Sequence, residues 1–205
     1  MDDIATRPRV EGDRELQLLT ATIDVLLELG YDRLTMDAVA NRAKASKATL
    51  YRRWTTKAGL VVTAIRMMDD PVDPPNTGTL REDLRRLFCG VDSAGVPMAA
   101  GQVSLVANIV TAMSHDEEFA TEFRAQVLVP KLALARTVWE HAKARGEIGA
   151  DVDVDLLENA LPGIVLYRAC ILGEAPIPAL VTRVIDEIIL PAATGNRAAP
   201  EGQLA

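Results

Sequence analysis

Apolar residues recur every three to four positions along nearly the whole chain. Leu16, Leu19, Ile23, Leu26 and Leu27 form the stripe of an amphipathic helix, and Gly30 stands where its C-terminus would be capped. Thr35 is a candidate N-cap for a short second helix with Val39 and Ala40 facing inward. Ser46 is placed to cap a third helix carrying Leu50 and Trp54, and Thr56 a fourth carrying Leu60, Val61, Ala64, Ile65 and Met68. The stretch from Pro71 to Gly78 holds three prolines, an Asn and a Gly, which cannot continue a helix, so it reads as a linker. Helical spacing resumes beyond it. Leu80, Leu84, Leu87 and Phe88 mark one helix, and Met98 to Met113 a second through Val103, Val106, Ile109 and Val110. Asp116–Val129 and Lys131–Arg145 form two helices or one kinked at Pro130, and Gly146 stops the run. Asp153–Leu172, with Leu161-Pro162-Gly163 suggesting a kink, and Ile177–Leu190 complete the set. No run alternates with period two, and no Asn-Gly or Asp-Gly pair signals a hairpin. The pattern predicts an all-α fold: an arm over 1–12, a helical unit over 13–70, a linker over 71–78, a second helical region over 79–192 and a tail over 193–205.

Composition changes this picture little. Of 205 residues, 49% are hydrophobic, which suffices for a packed core. Two cysteines, Cys89 and Cys170, are too few for a disulfide framework, so the expected compartment is a reducing cytoplasm. The N-terminus has no apolar signal region, and no apolar run approaches the roughly 20 residues of a membrane span. Arg outnumbers Lys 17 to 5, in keeping with a GC-rich bacterial genome.

Charge changes it more. The net charge of −7 argues against nucleic acid until it is divided along the chain. Residues 1–41 carry net −5 and residues 58–205 net −8. Between them Arg42, Lys44, Lys47, Arg52, Arg53 and Lys57 stand without an acid, net +6 in sixteen residues. A cationic patch on an anionic body suits a local polyanion contact and resists indiscriminate binding.

The patch coincides with a recognisable arrangement. Two short helices joined by Lys44-Ala45-Ser46, the second of them basic and capped, have the form of a helix-turn-helix, whose second helix enters the DNA major groove. Ala45 and Ala48 keep the leading face slim. Ser46, Thr49, Tyr51 and Lys57 supply donors for phosphate oxygens, joined by the amides of the helix N-termini. Lys47, with its long stem on the first turn, is the candidate for a base edge, while Leu50 and Trp54 face the core. Arg42, Lys44 and Arg52 add charge beside them. Arg7 and Arg9 fall in the stretch expected to be flexible.

The run from Leu34 to Ala43, then Ser46-Lys-Ala-Thr-Leu-Tyr-Arg-Arg-Trp54 and Lys57-Ala-Gly-Leu60, resembles the DNA-binding domain of the tetracycline-repressor (TetR) family of bacterial regulators. Arg145-Gly-Glu-Ile148 and the helix after it resemble the effector-binding domain of one subgroup. The resemblance implies phosphate contacts by Thr35, Tyr51 and Lys57 and base contacts by Lys47 and Ala48. It also implies a C-terminal effector-binding and dimerisation domain. In the homodimer, the helices bearing Leu156, Leu157, Ala160, Leu180, Val184 and Ile188 meet their symmetry mates. Phe88, Met98, Val106, Ile109, Met113, Phe119, Phe123 and Trp139 are the candidate lining of a pocket for a hydrophobic small molecule. One departure is Lys44, at a turn position the family often fills with Gly, where positive φ suits Gly better than Lys.

No catalytic constellation accompanies this. His115 and His141 lie far apart without a Cys or Glu-x-x-His companion, and His115-Asp-Glu-Glu118 reads as a solvated helix start, so neither metal nor cofactor is expected. No nucleophile elbow, P-loop or dinucleotide glycine pattern occurs. The expectation is a non-enzymatic repressor that binds a palindromic DNA operator as a homodimer and is released by a small effector. The alternative is an all-α ligand-binding or structural protein whose helix-turn-helix no longer binds DNA.

Overall fold

The computed structural model describes residues 7–68, 73–89, 100–149, 151–174 and 178–195, the side chains of 7–11 and 100–104 excepted. The described residues contain helices and no strand. They fall into two compact units, Met1–Pro71 with Ser104–Pro130, and Val72–Val103 with Lys131–Ala205.

The first unit is built on α1 (Arg7–Arg33), α2 (Met36–Arg42), α3 (Lys47–Tyr51) and α4 (Lys57–Met67). The latter part of α6 (Ala100–His115) and α7 (Glu117–Phe123) join them. α4 packs against α1 and α7. Leu18, Leu26, Leu34, Val39, Leu50, Leu60, Val61 and Phe119 are among the fully buried side chains of this core. The buried face of α1 is broader than its spacing suggested and shifted along the chain: Leu18, Leu19, Ala21, Thr22, Ile23, Val25 and Leu26 are buried, while Leu16 and Leu27 are exposed. Thr22 is satisfied inside by donating to the Leu18 carbonyl at 2.8 Å. Met68, expected inside, is exposed at the end of α4. Residues 7–12, expected in a flexible arm, are the first turns of α1.

The second unit comprises α5 (Leu80–Cys89), α8 (Val129–Ala144) from Lys131, α9 (Val154–Cys170), α10 (Pro178–Val184) and α11 (Leu190–Ala193). Its core gathers Leu80, Leu84, Val138, Trp139, Leu161, Ile185 and Ile189. Ala193, assigned to the tail from sequence, ends α11 and is fully buried, and its carbonyl accepts the Gly149 amide at 2.8 Å.

One buried ion pair ties this unit to its entry segment. Asp83, fully buried on α5, accepts the Thr77 amide at 2.6 Å, the Thr77 hydroxyl at 2.7 Å and the Arg145 guanidinium at 2.8 Å. Arg145 also donates to Glu147 at 2.6 Å and Asn76 at 2.7 Å, and Glu147 accepts the Leu80 amide at 2.7 Å. Arg145-Gly146-Glu147 is therefore a clamp, with Gly146 at φ 76° turning the chain between its two charged arms.

Proline shapes two further places. A π-helical turn at Arg124–Leu128 precedes Pro130, and another at Ile185–Ile189 precedes Pro191. A proline ring clashes with the carbonyl four residues back and donates no hydrogen bond. Widening the preceding turn accommodates both effects, so helical structure continues through Pro130.

Candidate DNA-binding face

The helix-turn-helix is assembled by local hydrogen bonds. Thr35 caps α2 by accepting the Ala38 amide at 3.1 Å, Ser46 caps α3 through the Thr49 amide at 3.2 Å, and Thr56 caps α4 through the Gly59 amide at 3.1 Å. Each cap satisfies an otherwise orphaned amide. The turn after α2 is a Schellman motif: the Lys44 amide bonds to the Asn41 carbonyl at 3.2 Å and the Ala45 amide to the Ala40 carbonyl at 2.8 Å. Lys44 takes the left-handed position at φ 49°, the only non-glycine with positive φ among the described residues. Arg14 of α1 donates to the Lys44 carbonyl at 2.9 Å and braces the turn. Sequence spacing gave no sign of this brace.

α3 is anchored from below. Leu50 is fully buried, and Trp54 lies against the core with its indole N–H donating to Thr63 at 3.2 Å. The opposite side faces water: Thr35, Arg42, Lys44, Ser46, Lys47, Ala48, Tyr51 and Arg52 are exposed, and Thr49 is half-buried.

Lys57 is held differently. Its ammonium donates to the Tyr31 carbonyl at 3.2 Å and sits 4.0 Å from the Tyr31 ring centroid. The Tyr31 hydroxyl donates to Asp116 at 2.7 Å, and its ring tilts against Phe119 with centroids 4.5 Å apart. Burial, then the hydrogen bond to Asp116, pushes the Tyr31 hydroxyl pKa up, so the phenol stays protonated. Asp116 also caps α7 by accepting the Phe119 amide at 2.9 Å. That bond first, then the Tyr31 hydroxyl, holds its carboxyl below the usual range.

The acids around the patch escaped a count made along the chain. Arg42 is paired with Glu28 and Arg53 with Glu15, both from α1, and Lys47 lies 2.6 Å from Asp37 on α2. Folding brings segments of opposite charge together, which linear charge arithmetic treats as separate.

The candidate effector-pocket residues divide between the two units. Phe119 and Phe123 are buried in the first core, and Ile109 and Met113 pack against it. Val106 is half-buried in the same unit, Trp139 is buried in the second unit, and Phe88 there is exposed. Met98 lies outside the described residues. A hollow of about 330 Å³ is lined by Leu29–Arg33, Asn108 and Thr111. Another of about 370 Å³ is lined by Arg136, Trp139, Glu140, Lys143 and Val152–Asp155. Of the seven described candidates, Trp139 alone borders either of these hollows. Of the candidate dimer residues, Leu156 and Ile188 are exposed, and Leu157, Ala160 and Leu180 are half-buried. Val184 is buried in its own subunit's core and is not free to meet a second copy. Leu166, Tyr167, Ile171 and Leu172 add exposed apolar surface along and just beyond α9.

A capped basic helix, pinned by Leu50 and Trp54 and presenting its polar side to solvent behind a tight turn, defines a helix-turn-helix transcription regulator. Comparison with known proteins agrees. Residues 18–64 match the bacterial regulatory proteins of the tetR family, and residues 74–188 match the Tetracyclin repressor-like C-terminal domain. The uncharacterized HTH-type transcriptional regulator Rv1556 of Mycobacterium tuberculosis is 38% identical over 194 residues, 94% of each chain. The DNA-binding transcriptional repressor TetR of Mycobacteroides abscessus is 32% identical over 182 residues, 86% of this chain and 92% of that one. The crystal structure of TetR family transcription regulator SCO0332 superposes with a TM-score of 0.62 at 29% identity, covering 86% of this chain and 97% of that one. The chain belongs to the TetR family of transcriptional regulators, and it is not an enzyme. None of its described helices is long and apolar enough to cross a membrane.

Proposed function

We propose that this regulator is a repressor that binds a palindromic operator as a homodimer and is released by a small apolar effector. The observation that carries the reading is the exposed apolar strip on α9. Leu156 is 66% exposed and Ile171 69%, with Tyr167 between them, and the strip has no cover in one chain. Ala160 and Gly163 lie between those large residues, and a Cβ at Gly163 would meet nothing within 4 Å, so a second helix has room to approach closely. Two-fold pairing through this strip supplies the two recognition helices that a palindrome requires. Thr35, Ser46, Thr49, Tyr51 and Lys57 then contact phosphates, with Arg42, Lys44 and Arg52 adding charge, and Lys47 and Ala48 meet base edges. The Mycobacteroides relative, a DNA-binding transcriptional repressor, favours repression over activation. Effector release is a population shift towards a conformer whose recognition helices no longer fit the operator, passed through α4.

Selection of bound DNA from a random pool by the full chain, with sedimentation to read its mass, tests the proposal. The expected product is an inverted repeat with half-sites about one DNA turn, roughly 34 Å, apart, bound by two copies. An unsymmetrical site, or a monomer on DNA, would overturn the dimer reading. A salt-independent complex would favour a protein that no longer uses its helix-turn-helix.

A further inference from the structure

On the exposed side of the helix-turn-helix, Lys47 and Asp37 form an acid–base pair in direct contact between α3 and α2. Lys47 opens α3 and Asp37 lies in the first turn of α2. Their charged ends are 2.6 Å apart, and both side chains are largely exposed, 63% and 51%. An exposed pair of this kind contributes little to stability. It has a cost for DNA binding, because it brings a carboxylate towards a phosphate backbone.

We infer that Asp37 and Lys47 act as one unit that reads a single G·C base pair in the operator half-site. This rests on the reading of Lys47 as a base contact. The pair presents a donor and an acceptor side by side, one hydrogen-bond length apart. In the major groove, G·C presents the matching order: the N7 and O6 acceptors of guanine, then the N4 amino donor of cytosine. The ammonium meets guanine O6 and N7, and the carboxylate accepts from cytosine N4. A T·A pair offers thymine O4 and adenine N6 in the same order, but places a methyl group beside the ammonium and the adenine N7 acceptor beside the carboxylate. A·T and C·G place a donor under the ammonium and an acceptor under the carboxylate, so both contacts turn repulsive. The preference at this position is therefore G·C, then T·A, with A·T and C·G rejected. Asp37 contributes to the choice mainly by excluding wrong pairs.

The test is selection from a random DNA pool by the full-length wild type, Asp37→Ala, Asp37→Asn and Lys47→Ala, with a thermal melt of each. Asp37→Ala should narrow the discrimination against A·T and C·G at one base pair per half-site by roughly five- to tenfold, the scale of one base contact. Lys47→Ala should relax the same base pair, and Asp37→Asn, whose amide both donates and accepts, should fall between wild type and Asp37→Ala. An unchanged site with unchanged stringency in Asp37→Ala overturns the inference, as does relaxation at a different base pair from Lys47→Ala. A lowered melting temperature with unaltered preference assigns Asp37 to the start of α2 alone and also overturns it. A wild type that selects no sequence removes the base-contact reading itself, a result distinct from a wild type that selects while Asp37→Ala does not differ.

Discussion

Substituting Arg145 by Ala should be among the most destabilising changes in the second unit. Asp83 is fully buried, and its two oxygens divide their partners: Oδ1 takes the Thr77 amide and hydroxyl, and Oδ2 takes Arg145. Removing the guanidinium leaves Oδ2 buried without a partner, and Asn76 Oδ1 and Glu147 Oε1 lose theirs as well, Glu147 keeping the Leu80 amide on Oε2. Breaking a buried pair from one side costs about 3–5 kcal/mol. Arg145 retains some exposure, 22% of its side chain, which admits water and places the expected cost near the lower end, about 3 kcal/mol. For a unit of this size that lowers the melting temperature by about 10 °C or more. The assay is urea and thermal denaturation of the wild type, Arg145→Ala, Asp83→Leu and the double variant Asp83→Leu/Arg145→Met. The double variant should recover most of the loss, because exchanging a buried pair for apolar groups is often neutral or better. A loss below about 1 kcal/mol for Arg145→Ala, or a double variant as unstable as the summed single changes, would refute the reasoning.

Three further outcomes are expected. Lys44→Gly should raise stability by about 0.5–1 kcal/mol in urea denaturation, since the left-handed position costs Lys more than Gly, and should reduce the salt slope of operator binding by about one charge. Asp116 has its carboxyl held below the usual range. Its share of stability is therefore present above the ordinary carboxylate pKa and fades as pH falls through the lowered one, and Asp116→Asn should flatten that part of a urea-stability profile measured between pH 7 and pH 3. Leu156→Asp together with Ile171→Asp should give a folded monomer in sedimentation with operator affinity lost, whereas Val184→Asp, in the subunit's own core, should lower the melting temperature instead.

Much of the fold was legible because caps and periodicity are local. Thr35, Ser46 and Thr56 cap the helices that their positions suggested, and Asp116 and Asp153, read from sequence as helix starts, are the caps of α7 and α9. Even the strain at Lys44 could be anticipated from a turn that favours glycine, and φ 49° bears it out. What failed to show was long-range. Ser104–Pro130 packs with the N-terminal helices although the Pro-rich segment at 71–78 looks like the boundary. Helical spacing states that a residue is buried but not against what, so Phe119 and Phe123 read equally well as pocket lining or core. The clamp is a clearer case: Arg145-Gly-Glu147 was visible as a motif, yet its purpose depends on Asp83, 62 positions away. The two π-helical turns each lie just before a proline, but Pro162 is carried inside α9 without one, so a proline in the sequence does not by itself foretell such a turn.

The same limit governs the charge. Six cations without an acid in sixteen residues suggested a strong polyanion site, yet three of them, Arg42, Lys47 and Arg53, meet carboxylates from outside that stretch. On the proposed reading, contact with DNA through those three would exchange an internal partner for a phosphate or base instead of satisfying a bare charge. The sequence-independent attraction is therefore weaker than six charges would supply, and Glu15 and Glu28 repel a backbone approached out of register. Hydrogen bonds and base edges that align only on the right sequence must supply more of the affinity. Acids beside the recognition helix thus lower non-specific binding more than specific binding, and the ratio of the two is what a regulator needs among many competing sites.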